Sequence, residues 1–238
     1  MAILARTSRR SVRQLHPSGY RALRQLIAVV TCHQRTYPKN DLAGGHKNGE
    51  SRIDVVRATW YKNWFLRYAD KIDVMFFLGR GERSPEGYEI HLDCDDSYYG
   101  LPEKVRQVYN WCYRAGYDQV IKVDDDVFLY VGRLLANPSD VDYRGFAIES
   151  EIRYASGTCY QLSRRAMKFV ADAEIPQGEW REDRHVGQVL LNNGIKLTDE
   201  PRFHCCHCDA CNETMPQSER ISSHTSDPRQ MYRLMENI

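Results

Sequence analysis

No run of 18 or more apolar residues occurs in the 238-residue chain, so the sequence contains no candidate membrane-spanning helix. The first residues, MAILARTSRRSVRQL, lack the apolar stretch of a secretory signal, and a cytosolic protein is expected unless a leader precedes them. Internal repeats and low-complexity segments are also missing, which excludes solenoid and fibrous architectures. No linker is long enough to separate two domains. Acidic residues are absent from the first 40 positions, which hold Arg6, Arg9, Arg10, Arg13, Arg21, Arg24, Arg35 and Lys39. Residues 1–24 therefore read as a basic arm, either solvated surface or a contact to nucleic acid or anionic lipid. Over the whole chain the net charge is only +1, so the total implies no polyanionic partner.

What is present describes an ordinary globular domain, with 42% hydrophobic and 27% charged residues. LRQLIAVVTC (23–32) has the look of a buried strand opening into a loop. Ile53, Val56, Trp60 and Trp64 fall at helical spacing and predict one amphipathic helix over 52–69. Strands are expected at 71–79 and 88–94, joined by the turn-rich RGERSPEG. Leu101, Val105, Val108 and Cys112 form a helical stripe that Gly116 stops, and YDQVIKV (117–123) reads as another strand. Further strands near 143–149 and 157–162 precede helices starting near 163 and 182. This rhythm predicts an α/β fold with a mostly parallel central sheet flanked by helices, residues 25–238 forming a single domain. In such sheets ligands collect at the carboxyl ends of the strands.

Eight cysteines divide into four scattered ones and a cluster, HCCHCDAC (204–211). Cys205, Cys208 and Cys211, with His207 as a fourth ligand, have spacing that suits a structural Zn²⁺ in a reducing compartment. Disulfides or free thiols explain the same cluster equally well, and an oxidising compartment would favour the disulfides.

IKVDDDVFLY (121–130) sets three carboxylates between two runs that read as buried strand. Burying an ionised carboxylate costs several kcal/mol, and each neighbouring pair repels by about 4 kcal/mol at 4 Å and an effective dielectric of 20. A hard divalent cation reverses that local field, and Mg²⁺ or Mn²⁺ held by one or two carboxylates completes its shell with phosphate and water. A triplet at a strand end thus suggests a metal-nucleotide site, although an acidic turn or helix cap produces the same three letters.

In its context VIKVDDDVFL (120–129) resembles the metal-binding D-x-D segment of GT-A fold nucleotide-sugar glycosyltransferases. In particular it resembles the beta-1,3-glycosyltransferase family that includes fringe and the core 1 galactosyltransferase. Five further segments resemble that family in the same order: RATW (57–60), DCDDSYYGLPEKV (93–105), YASGTCYQLS (154–163), REDRHVGQVLLNNGI (181–195) and ISSHTSDPRQMYRLME (221–236). The resemblance implies a GT-A type fold and a Mn²⁺ or Mg²⁺ bound by Asp126, Asp124 and His224. It implies that Asp124 and Asp125 contact the metal shell or the donor ribose, and that Asp183 is the general base, with Glu182 or His185 as alternatives. Thr31 and the residues after it, Arg35 among them, lie where a base and ribose would sit. Arg57 and Lys122 are candidate phosphate contacts or braces for the core. Ser156 and Gly157 form a small-residue gap through which a sugar could approach backbone, though a tight turn also explains the glycine. Trp60 and Trp64 read as core.

The implied reaction is inverting transfer of a sugar from a nucleotide diphosphate, expected to be UDP, to a hydroxyl of an acceptor glycan or other macromolecule. The missing anchor and the added cysteine cluster set the chain apart from secretory-pathway members and suit a bacterial or viral enzyme of the cytoplasm. Two other functions stay open. The basic arm would serve sugar transfer to a hydroxymethylated base in DNA, and a chain that kept the fold without turnover would be a sugar-nucleotide-binding protein.

Overall fold

Parallel strands β1 (Gln25–Val30), β2 (Asp73–Leu78), β3 (Glu89–His91) and β4 (Gln119–Asp124) lie side by side in the order β3-β2-β1-β4. The computed structural model describes residues 23–33, 51–82, 84–205, 215–225 and 227–236. Beyond β4 the sheet continues with β7 (Arg153–Ser163), β6 (Tyr143–Glu149) and β8 (Thr198–Asp199), giving seven strands. β7 runs antiparallel to both β4 and β6, while β8 is parallel to β6. A smaller sheet pairs β5 (Val127–Leu129) with β10 (Ser222–His224), and β10 with β9 (Phe203–His204).

Strand side chains alternate between faces, and both faces of the large sheet are apolar. Ile27 and Val29 of β1 join one core with Val56, Trp60 and Trp64. Those residues belong to α1 (Arg52–Ala58) and α2 (Trp60–Arg67), and Phe128 of β5 and Met231 of α7 (Pro228–Glu236) share that core. Leu26, Ala28 and Val30 point the other way, against α3 (Leu101–Arg114), α5 (Arg164–Asp172) and α6 (Glu182–Asn192). There Val105, Val108 and Cys112 form the stripe expected of α3, which ends in the turn before Gly116, whose φ of +83° lies in the left-handed region. α4 (Val131–Ala136) follows β5.

The single helix predicted over 52–69 is instead two. Thr59 leaves helical geometry, with φ −109° and ψ −115°, and its hydroxyl donates to the Val55 carbonyl at 2.7 Å. A β-branched residue able to satisfy a backbone carbonyl itself is a natural place for such a break. The new direction lets the Trp60 indole donate to the Val127 carbonyl at 2.9 Å, while Trp64 donates to Ile72 at 2.8 Å. Both tryptophans are buried in the core, as expected. Among the described residues no helix is long and apolar enough to cross a membrane.

Candidate active site

The chain leaves β1 towards β2 and β3 on one side, and β4 lies on the other. The carboxyl ends of β1 and β4 therefore flank the switch point where such sheets open a crevice. Thr31 follows β1 and the Asp124–Asp126 triplet ends β4. The Thr31 hydroxyl donates to Asp125 Oδ2 at 2.7 Å, and Asp125 is fully buried.

Each carboxylate of the triplet has a different partner. Asp124 shares a sheet face with Lys122, whose Nζ donates to its Oδ1 at 2.7 Å. Arg52, in the first turn of α1, brings Nη1 to 3.5 Å from Asp125 Oδ1 and bonds directly to Asp126 Oδ2. His224 of β10 places Nε2 3.5 Å from the same Asp126 oxygen. Its Nδ1 lies 3.1 Å from the Cys205 carbonyl, which can only accept. Nδ1 is therefore the protonated nitrogen, and in the neutral ring Nε2 turns its lone pair towards Asp126. Burial opposes a charge on this imidazole, but Asp126, the Cys205 carbonyl and Asp124 outweigh it and hold its pKa above the ordinary value. The Thr225 amide and hydroxyl both donate to the Asp126 carbonyl at 2.8 Å, which fixes the end of β10 to the triplet.

Among the described residues no three His, Cys, Asp or Glu side chains converge into a ready-made metal cage. Asp126 and His224 nonetheless fit a divalent ion. They present a carboxylate oxygen and an imidazole nitrogen side by side, the imidazole held by a carbonyl behind it, and two protein ligands would leave the other positions of such an ion to phosphate and water.

Lys122 also connects the triplet to α6. Its ammonium donates to the Gly157 carbonyl and lies 3.4 Å from Glu182 Oε2. Burial works against this charge, but Asp124 and Glu182 prevail and the Lys122 pKa is raised. Gly157 in turn donates its amide to Asp183 Oδ2 at 3.0 Å, and the Arg184 amide donates to Asp183 Oδ1 at 2.8 Å. A Cβ at Gly157 would stand 3.3 Å from both the Asp183 and the Glu182 carboxylates, so a close approach explains this glycine. Neighbouring Ser156 bonds to the Thr158 hydroxyl at 3.1 Å.

Of the three candidate bases, Asp183 is half-buried at the start of α6, while Glu182 and His185 are buried. Glu182 accepts from the Tyr160 hydroxyl. Burial pushes its pKa up to about 7; Lys122 opposes the rise and Asp183 adds to it. A carboxyl raised from an unfolded value of 4.5 holds its proton in the folded state, so its ionisation subtracts stability as pH climbs from about 4.5 to 7. The non-titrating Glu182→Gln variant should match the wild type near pH 4 and exceed its Tm by on the order of 5 °C at pH 8. Thermal melts across that range check this, and a gap independent of pH would contradict it.

A cavity of about 750 Å³ opens beside the switch point, lined by Thr31, His33, Arg80, Asp96, Tyr98 and Lys104 among others. Buried Lys104 donates to the Thr31 carbonyl at 2.9 Å and to Asp96 Oδ1 at 2.7 Å, and Asp96 Oδ2 accepts the His33 amide at 2.7 Å. This floor was hidden in DCDDSYYGLPEKV, where loop residue Asp96 and Lys104 of α3 are eight positions apart and share the cavity only after folding. Arg57, expected as a phosphate contact or a brace, bonds Glu89 Oε1 at 2.6 Å and joins α1 to β3. The arginine of α1 that reaches the triplet is Arg52, one and a half turns earlier, and nothing in its local sequence distinguishes it.

Arg35, His207, Cys208 and Cys211 lie outside the described residues, as does the basic arm up to residue 22; Cys205 is half-buried at the end of β9. Arg24, the last cation of the arm, stacks 4.3 Å from the Tyr117 ring centroid, and its amide donates to Asp118 Oδ2 at 2.8 Å.

No protein-family model matches the chain, and no curated protein matches it in sequence. Among solved structures, a glycosyltransferase involved in the glycosylation of the major capsid of PBCV-1 aligns with a TM-score of 0.50 at 10% identity, covering 89% of this chain and 99% of its own. A nucleotide-diphospho-sugar transferase from Desulfovibrio desulfuricans G20 aligns at 0.45 and 12% identity, covering 74% of this chain and 79% of its own. The catalytic domain of Drosophila beta1,4galactosyltransferase 7, in complex with xylobiose, aligns at 0.43 and 12% identity over 90% and 81%. The first of these alignments shows a shared fold. The α/β architecture expected from the sequence is present: a mixed, mostly parallel sheet flanked by helices, in a GT-A-like arrangement.

Proposed function

We propose that this chain is a metal-dependent, inverting glycosyltransferase, moving a sugar from a nucleotide diphosphate to an acceptor hydroxyl. The observation that carries the proposal is the meeting of Asp126 and His224 at the carboxyl end of β4, linked through Lys122 and Gly157 to Asp183. The six ordered sequence resemblances support the same reading.

In this reading the cavity walled by Thr31, Asp96 and Lys104 takes the nucleoside, and the diphosphate lies over the triplet. Asp126 and His224 would hold a Mn²⁺ or Mg²⁺, which when bound offsets negative charge on the departing diphosphate. Asp183 sits at the start of α6, where the Gly157 and Arg184 amides, at 3.0 and 2.8 Å, orient its two carboxylate oxygens. It takes the proton of the acceptor hydroxyl as that oxygen attacks the anomeric carbon. The bond from anomeric carbon to diphosphate breaks on the opposite face, the diphosphate leaves with the bonding pair, and configuration inverts. Lys122 maintains the spacing between the two halves by holding Asp124, the Gly157 carbonyl and Glu182 together.

Incubation with a panel of sugar nucleotides, with and without Mn²⁺ and read by product mass, tests this. Release of nucleotide diphosphate from at least one donor, dependent on metal, is expected; none from any donor would leave a binding protein.

Arg52 already provides a positive charge to Asp125 and Asp126, so it competes with a divalent ion for the same oxygens. Its attraction is worth about 4 kcal/mol at 4 Å and an effective dielectric of 20, part of which desolvation cancels. Arg52→Met should therefore tighten Mn²⁺ binding in the absence of nucleotide by roughly tenfold. Calorimetric Mn²⁺ titration of both proteins decides, and equal or weaker binding by the variant would rule out the competition.

A further inference from the structure

A second cavity, of about 330 Å³, lies between α2 and the junction of β5 with α4. Its lining includes Trp60, Asn63, Arg67, Tyr68, Tyr130 and Arg133, and no carboxylate. Several other arginines of this chain face acids: Arg52 with Asp125 and Asp126, Arg57 with Glu89, Arg106 with Glu103, Arg202 with Glu200. Arg67 and Arg133 have no carboxylate partner among the described residues.

Arg133 is held in place without being neutralised. Its Nη1 donates to the carbonyls of Gln217 and Arg220 at 2.5 and 3.0 Å, and its guanidinium stacks 4.0 Å from the Tyr130 ring centroid. Asn63 and Tyr68 add an amide and a hydroxyl, and neither side chain is hydrogen-bonded to the described residues. The Tyr68 hydroxyl lies where a Cβ on Gly132 would come within 2.5 Å, so the glycine keeps that wall open. Guanidinium groups bind phosphate and carboxylate oxygens through paired N–H donors, and the held Arg133 together with the exposed Arg67, neither facing an acid, balances a dianion. The volume exceeds that of a bare phosphate, and Trp60, Tyr68 and Tyr130 supply apolar wall for an organic group.

We propose that this cavity binds a phosphate monoester, independently of the site at β4. The ester could be free in solution or the headgroup of a lipid, since Phe65 and Leu66, 53% and 72% exposed, precede Arg67 on α2.

The test titrates the full chain with glucose 1-phosphate by calorimetry, and in parallel sediments it with phosphatidylcholine vesicles with and without phosphatidic acid. Arg67→Gln breaks no contact in the fold, and Arg67→Gln/Arg133→Gln removes both charges. Binding to at least one probe should weaken about tenfold in the single variant and vanish in the double, as expected for losing charge-assisted hydrogen bonds. Loss confined to glucose 1-phosphate identifies a free ester, and loss confined to phosphatidic acid identifies the headgroup. If wild type and Arg67→Gln bind both probes with the same affinity, or bind neither, the proposal is overturned.

Discussion

Asp126→Asn should reduce sugar transfer by roughly 10³-fold or more, because a neutral amide removes the anionic ligand on which metal stabilisation of the leaving group depends. The same change should weaken Mn²⁺ binding measured by calorimetry, a readout independent of turnover. Folding should survive, since the Asp126 carbonyl still accepts from Thr225 and β5 keeps its place beside β10. Removing one carboxylate also relieves repulsion within the triplet, while Arg52 keeps Asp125 as a partner. The expected pattern is therefore a dead enzyme with a near-normal melting temperature. An Asp126→Asn protein with wild-type turnover and unchanged Mn²⁺ affinity would remove the metal from the proposed mechanism.

Asp183→Asn is expected to lower kcat by about 10² to 10⁴-fold, the usual range for a general base, while leaving donor affinity unchanged. The replacement is nearly isosteric, and its carbonyl oxygen can still accept the Gly157 amide. Donor affinity checks that the nucleotide half is intact, and single-turnover rates isolate the chemical step. Glu182→Gln is the control. Glu182 is buried between Lys122 and Tyr160, and its loss should act mainly on stability and on the placement of Lys122. Should Glu182→Gln abolish transfer while Asp183→Asn retains the full rate, the base would be the buried carboxylate.

The parts of the fold legible in the sequence are those fixed by short-range pattern. Alternating apolar residues on β1, the stripe Val105, Val108 and Cys112 on α3, and the glycine after it are local signals that tertiary context did not override. The break at Thr59 was not legible, because helical spacing continued across it and its neighbour Trp60 is anchored by a carbonyl 67 positions from it, at Val127. The strands of the small sheet are two or three residues long, too short for any period to be detected. Within the candidate site, the Asp124–Asp126 triplet was noticed because three adjacent acids at the end of an apolar run are electrostatically unfavourable unless compensated. The compensating groups were not visible: Arg52 and Thr31 are 74 and 94 positions from their aspartates, and Lys104 is 73 from the carbonyl it holds. Ordinary helix and loop residues gain such roles only through chain folding.

Thr225 reaches the Asp126 carbonyl across 99 positions of sequence, and His224 arrives with it on β10. During synthesis the triplet emerges long before that strand exists, so a nascent or C-terminally clipped chain has the acidic turn but neither its latch nor its imidazole. If the proposed site holds, competence to bind the ion is gained late and all at once, when the last strand docks, and a proteolytic cut within the segment joining β9 to β10 should silence the protein while leaving the large sheet folded.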